Sequence, residues 1–271
     1  MSSQMTAEDT RRLSASLSVE RLNKLIAITR DETIAVSIHQ DTLGLNSHLM
    51  KIVATVEIAL RNNIYNNIAN YFGVANWLQQ PPIALTLVDG DRKKIVSALD
   101  SAKRSEYAKK SQAEKAVLKA SVFPNGKPPD IKPFKFVQKK RENIPVSDGK
   151  VIAELTFAFW KRLYSSEYEY QLWRPTLKRT FPNKNLKRSH VSAQLEVVYQ
   201  MRNRLAHHEP VFGDRFRKLI SAIKFVLLEL DSKGQTMPRA LEKLLAADIE
   251  DAVELHTKME AVLTQYRSKS P

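Results

Sequence analysis

Leu195-Glu196-Val197-Val198-Tyr199-Gln200-Met201-Arg202-Asn203-Arg204-Leu205-Ala206-His207-His208-Glu209-Pro210 is the chain's densest run of chemistry, and its reading decides the fold. Leu195, Val198, Tyr199 and Leu205 recur at the spacing of one helical face, and Arg202 falls on the same stripe. Pro210 has no backbone N–H and pushes Glu209 out of the α region, so the helix is expected to end at about His207 or His208. Two imidazoles therefore arrive at a helix terminus. At about 100° per residue, Arg202 and His207 point about 140° apart around one helix. They can meet a single phosphate only if the last turn opens or a second copy of the helix supplies the missing face.

The same period runs outward in both directions. Residues before Leu17 are polar and expected to fray, after which Ser18 can cap a helix carrying Leu22, Leu25 and Ile26. A second segment through Ile34 and Ile38 leads, past Gly44, into residues 46–72, where Leu49, Ile52, Val56, Leu60, Ile64 and Ile68 keep a stripe ended by Gly73. Further helices are predicted over residues 92–120, 150–164, 214–230 (stopping near Gly234), 238–247 and 249–267. Trp160 and Trp173 read as core. With 43% hydrophobic residues, seven glycines and no alternating apolar pattern, the 271 residues predict an all-α fold in one domain. That domain reads as an N-terminal helical half (18–75), an insert (76–149) rich in proline and basic residues, and a C-terminal helical half (150–271) holding the motif.

The formal charge is +14, and residues 91–141 alone hold fifteen Lys or Arg against five Asp or Glu. Such an excess favours a polyanionic partner, because Lys and Arg replace the counterions condensed on a phosphate backbone. Nucleic acid, with RNA as the partner the motif points to, is the first expectation, and an anionic membrane surface the second. The residues expected to contact RNA are Lys109, Lys110, Lys139 and Lys140 in the insert, and Arg174, Lys178, Arg179, Lys187 and Arg188 upstream of the motif helix. Tyr107, Phe134 and Phe136 can stack on unpaired bases. The polar start and the lack of a long uninterrupted apolar run predict a cytosolic protein with no membrane span. The chain has no cysteine, which removes disulfides, thiolate metal sites and cysteine nucleophiles together. No glycine-rich phosphate loop is present, and Glu196, Glu209, Asp214 and His190 make a poor metal set, so no cofactor and no metal are expected.

Arg202-Asn203-(three residues)-His207 resembles the Arg-x4-6-His motif of HEPN domains, and the run 202–210 resembles the Abi-like (abortive infection) family. Glu57-Ile58-Ala59-Leu60-Arg61-Asn62, Phe72-Gly73 with Trp77, and Glu154-Leu155-Thr156-Phe157-Ala158-Phe159-Trp160 followed by Leu172-Trp173 occur in that family's order, with Ala158 where a glycine is expected. The resemblance implies a HEPN-like helical bundle elaborated with extra helices. It further implies metal-independent RNA cleavage in a bacterial defence or toxin-antitoxin setting, a homodimer (with an internal pairing of the motif with the 46–72 helix, through Arg61 and Asn62, as the alternative), and a restraining RNA or protein antitoxin. Arg202, Asn203 and His207 are then the catalytic set, supported by His208, Arg204, Arg61, Asn62 and Glu57; Arg-x5-His also fits, so His208 can replace His207.

Imidazole and guanidinium are the groups the chemistry needs, one to move protons near neutral pH and the other to hold the phosphorane by paired hydrogen bonds. Two other readings stay open. Arg202 can pair with Glu196 or Glu57 while the two histidines cap the helix end, in which case the module binds RNA without cutting it. Glu57 and Arg61 can form an intrahelical ion pair, with the asparagines from Asn62 to Asn70 as a polar flank or as a second phosphate-contacting edge.

Overall fold

A computed structural model describes residues 6–126, 128, 130–230 and 240–268. Among these residues there are eleven α-helices, three short 3₁₀ or π segments and no strand, so the fold is all-α. The helices are α1 (Ala7–Leu17), α2 (Val19–Thr29), α3 (Glu32–Phe72), α4 (Asp89–Ala108), α5 (Gln112–Val122), α6 (Pro133–Lys139), α7 (Asp148–Glu154), α8 (Phe157–Arg162), α9 (Arg188–Ala206), α10 (Asp214–Glu229) and α11 (Ala240–Ser268).

Several boundaries depart from the expected ones for local reasons. The start of the chain does not fray after Thr6: Thr6 and Asp9 form a capping box that nucleates α1. Gly44 does not interrupt α3, since one exposed helical glycine costs about 1 kcal/mol while Leu45, Leu49, Ile52 and Val56 beside it are fully buried. The helix expected over 92–120 breaks at Lys109, and α5 restarts on a second capping box between Ser111 and Glu114. That over 150–164 breaks at Leu155, whose backbone is extended. Residues 240–268 form one helix where two were expected. Gly234 and Pro238 lie outside the described residues. Gly73 ends α3 as expected: at φ 69° it is the left-handed residue of a cap in which the Val74 N–H reaches the Ala69 carbonyl at 3.2 Å.

α3 is the one described helix long and apolar enough to cross a membrane by length and composition. Its apolar stripe, from Leu45 to Ile68, is buried against the rest of the protein, as a core helix requires.

The chain forms two compact units, one of residues 1–59 with 181–271 and one of residues 60–180, a division that cuts across the three stretches expected from the sequence. In the first, α9 packs on α10, α10 on α11, and α11 on α2, around Leu22, Leu49, Leu195, Val198, Leu219 and Ile223. In the second, α4 packs on α7 over a core rich in aromatics, including Trp77, Phe157, Phe159, Trp160, Tyr168 and Trp173. Asp91 is buried there at the start of α4 and takes hydrogen bonds from Arg162 Nε (2.8 Å), the Tyr168 hydroxyl (2.8 Å) and Lys94 (3.0 Å).

Candidate functional site

The motif sits at the end of α9, in the first unit. The buried face of this helix runs through Val191, Leu195, Val198, Met201 and Leu205. Arg202 and Tyr199 therefore flank the apolar stripe instead of lying on it, which corrects the face read from sequence. Arg202 is half-exposed, and its Nε lies 3.6 Å from Glu57 Oε2 on α3. At that distance the pair is a loose ion contact and not a direct hydrogen bond. The nearest approach is through Nε, which leaves the two terminal amino groups of the guanidinium to meet an incoming anion.

The end of the helix is built by the backbone. His207 closes it at φ −93°, ψ 11°, with its N–H shared between the Asn203 and Arg204 carbonyls, each at 3.1 Å. His208 adopts φ 55°, and the Glu209 N–H returns to the Arg204 carbonyl at 2.8 Å. This is the left-handed cap that glycine usually supplies, filled here by a histidine, one of the side chains that tolerates the conformation better than most. The last turn thus stays closed. Arg202 and His207 remain about 140° apart around the axis.

Two contacts fix the segment after the cap. Arg204 Nη1 pairs with Glu209 Oε2 at 2.5 Å. Buried Asn46, on α3, donates from Nδ2 to the Glu209 carbonyl at 2.9 Å and accepts from the Val211 N–H at 3.4 Å. Farther on, the Gly213 N–H donates to His256 Nε2 at 3.0 Å, and the His256 ring stacks on Phe216 at 4.0 Å. Burial lowers the His256 pKa, opposed by Glu260 and reinforced by Arg217, so the acceptor nitrogen stays unprotonated. Both imidazoles of the motif, His207 and His208, are exposed, while Asn203 and Arg204 are half-buried.

The second unit holds the other candidates. Arg61 and Asn62 lie on its part of α3, where the Arg61 Nε is buried without a hydrogen-bond partner. Lys109 pairs with Glu106 at 2.8 Å and Lys110 with Glu114 at 3.3 Å, so neither is an unopposed charge. Hydrogen bonds from Lys109 and Lys150 hold the Glu106 pKa down to about 2. Lys139 lines an open groove of about 410 Å³ with Lys103 and Lys135. Lys140 sits over the Phe136 ring, which itself stacks on Phe123, so of Tyr107, Phe134 and Phe136, the residues expected to stack on bases, Phe134 is the one left well exposed. Arg174 lies over the exposed Tyr170 ring at 4.3 Å and contacts Glu169 at 3.4 Å. Lys178 and Arg179 occupy a 3₁₀ turn of that unit; Lys187 and Arg188 open α9 in the first.

In the sequence Asn46 is one of several polar residues around it, with Ser47 and His48 next to it, and nothing local marks it out, because its partner lies 163 positions away. Among the described residues no group of three or more His, Cys, Asp or Glu is placed to hold a metal ion.

A family model described as Abi-like protein matches residues 17–213, most of the chain and all of the motif. No curated protein and no solved structure matches the chain significantly.

Proposed function

Since the chain belongs to the Abi-like protein family, we propose that it serves in abortive infection as a HEPN-type endoribonuclease that cuts RNA without a metal ion. One observation carries this reading: α9 stops at His207, leaving two imidazoles exposed at the end of the helix that carries Arg202, whose nearest approach to Glu57 is a loose 3.6 Å through Nε. In the reaction, one His207 takes the proton of a ribose 2′-OH, and O2′ bonds to the adjacent phosphorus. Arg202 neutralises the pentavalent phosphorane, a charge that develops only in the transition state. The P–O5′ bond then breaks, and a second imidazole protonates the departing O5′, giving a 2′,3′-cyclic phosphate and a 5′-hydroxyl. Asn203 orients the phosphate and Arg204 adds a further contact.

Because the last turn is closed, one helix presents Arg202 and His207 on different sides. We therefore place the reaction between two copies of the chain, with both motif helices facing one basic groove. RNA should strengthen that dimer by neutralising its self-repulsion, which light scattering with and without a short RNA reads directly. Lys139, Lys140 and the other lysines and arginines of the insert, together with Arg174, Lys178, Arg179, Lys187 and Arg188, supply affinity for the backbone. Such an activity also calls for an antitoxin, RNA or protein, that restrains it.

The Arg202–Glu57 and Arg204–Glu209 contacts favour a second reading, in which the same surface binds RNA without cutting it. Purified protein incubated with mixed RNA in EDTA separates the two. New fragments support the nuclease; bound but intact RNA supports the binding module.

A further inference from the structure

Behind the capped end of α9, inside the first unit, lies a cavity of about 370 Å³ whose lining includes His208 and Glu209 from the end of the motif. Its volume falls within the range of small-molecule sites, about 300–1,000 Å³. Leu25 and Ile28 from α2, Leu43 from α3, and Pro210 and Phe212 from the segment after the motif give it an apolar interior. This interior adjoins the core cluster of Leu25, Ala35, Ile38 and Leu263. Four cations line it as well: Arg21, Lys24, Arg215 and Arg267. None of the four has an ion-pair partner among the described residues. The one carboxylate lining the cavity, Glu209, is taken by Arg204 at 2.5 Å. Polar groups are few. The Thr42 hydroxyl is spent on the Ile38 carbonyl at 2.9 Å, and buried His39 is kept neutral by desolvation and by Arg21, its Nδ1 without a hydrogen bond.

Four cations with no ion-pair partner among the described residues, set around an apolar interior, describe a ligand with its charge at one end and hydrocarbon at the other. We propose that this cavity is a binding site for a small anionic amphiphile, a carboxylate or phosphate monoester carrying an alkyl or aryl body. The body lies along Leu25, Ile28, Leu43 and Phe212, and the anion is held by Arg21, Lys24, Arg215 and Arg267. The proposal is independent of RNA cleavage and stands or falls on binding alone.

The test is calorimetric titration of the full chain with decanoate and, separately, decyl phosphate, both kept below micelle formation, with decanol as the neutral control. One saturable equivalent per chain is expected for an anionic probe. Whichever anion binds more tightly identifies the head group. Decanol should bind at least roughly tenfold more weakly, and Arg21→Gln with Lys24→Gln should weaken the anion by about the same factor, about 1.4 kcal/mol for two partly exposed contacts. Ile28→Trp, which fills the cavity, should abolish binding, and Leu43→Phe provides a second filling variant should the first fail to fold by circular dichroism. Decanol binding as tightly as the anions, uptake that does not saturate at one equivalent, or undiminished binding in a folded filling variant would overturn the proposal.

Discussion

Arg202 and Arg162 are the same side chain facing the same kind of partner, and the two surroundings put them to different use. Arg162, in the second unit, meets a carboxylate that is 0% exposed and that also receives Tyr168 and Lys94, at 2.8–3.0 Å throughout. Burial alone would raise the Asp91 pKa; the hydrogen bonds from Tyr168, Lys94 and Arg162 outweigh it and hold the carboxyl below its usual range. Arg202 meets Glu57 through one nitrogen at 3.6 Å; the two side chains are almost equally open to solvent, 37% for Arg202 and 34% for Arg162, so the difference lies in the contacts and not in exposure. A guanidinium held by two carboxylates, as Arg162 is by Asp91 through Nε and Glu167 through Nη2, stabilises a fold. One tied loosely on one side can bind something else, and the proposed chemistry at the second corner rests on that contrast.

The largest expected effect lies at the second corner. Arg202→Ala and His207→Ala should each lower RNA cleavage by about 10²–10⁴-fold, the usual worth of a proton-transferring or charge-stabilising group, while binding and melting temperature stay near wild type. Full cleavage by His207→Ala together with a dead His208→Ala would move the role by one residue. Asp91→Ala should do the reverse. It leaves Arg162, Lys94 and Tyr168 facing an empty buried site, and urea unfolding should show a loss of roughly 2–4 kcal/mol, the low side of the buried-pair range because Arg162 and Lys94 reach solvent. A loss under 1 kcal/mol would erase the contrast.

Affinity for RNA should also divide by pairing state. Lys139→Gln with Lys140→Gln should flatten the salt dependence of RNA binding by about 0.7 log–log units for each phosphate the protein no longer neutralises. Lys109→Gln with Lys110→Gln should flatten it less, because Glu106 and Glu114 already oppose those charges. An equal change in both pairs would show that these ion pairs open on binding.

The smaller effects are conformational. His208→Gly removes a side chain from the left-handed region, so the cap should gain about 1 kcal/mol, with cleavage retained if His207 is the active imidazole. Stability should also fall with acid. His39 and His256 both titrate below the ordinary imidazole value of 6.5 in the folded chain, so the unfolded chain binds protons first as pH drops. Their stabilisation is present above about pH 6.5 and lost on acidification below it; His256→Gln should show a shallower loss.

What the sequence made legible follows the range of the forces involved. The end of α9 was readable because Pro210 acts on its own neighbours, and the all-α fold because helical periodicity is local. The breaks before α1 and α5 were equally local, in Thr6 with Asp9 and Ser111 with Glu114, so these capping boxes could have been found. The faces were harder. Leu195, Val198 and Leu205 fit a stripe through Arg202 as well as one through Met201, and only packing in three dimensions chose Met201. Longest in range were the sites closed by distant partners. Asp91 finds Arg162 and Tyr168 71 and 77 positions away, and Asn46 finds Glu209 at 163, separations that periodicity does not encode.

If the exposed end of α9 does chemistry on RNA, as proposed, the RNA ends left after incubation in EDTA report it most directly. The expected result is a set of new fragments bearing 2′,3′-cyclic phosphate and 5′-hydroxyl ends from the wild-type protein, and none from His207→Ala of equal melting temperature. Intact RNA, cleavage that requires a divalent metal, or fragments with 5′-phosphate ends would contradict it.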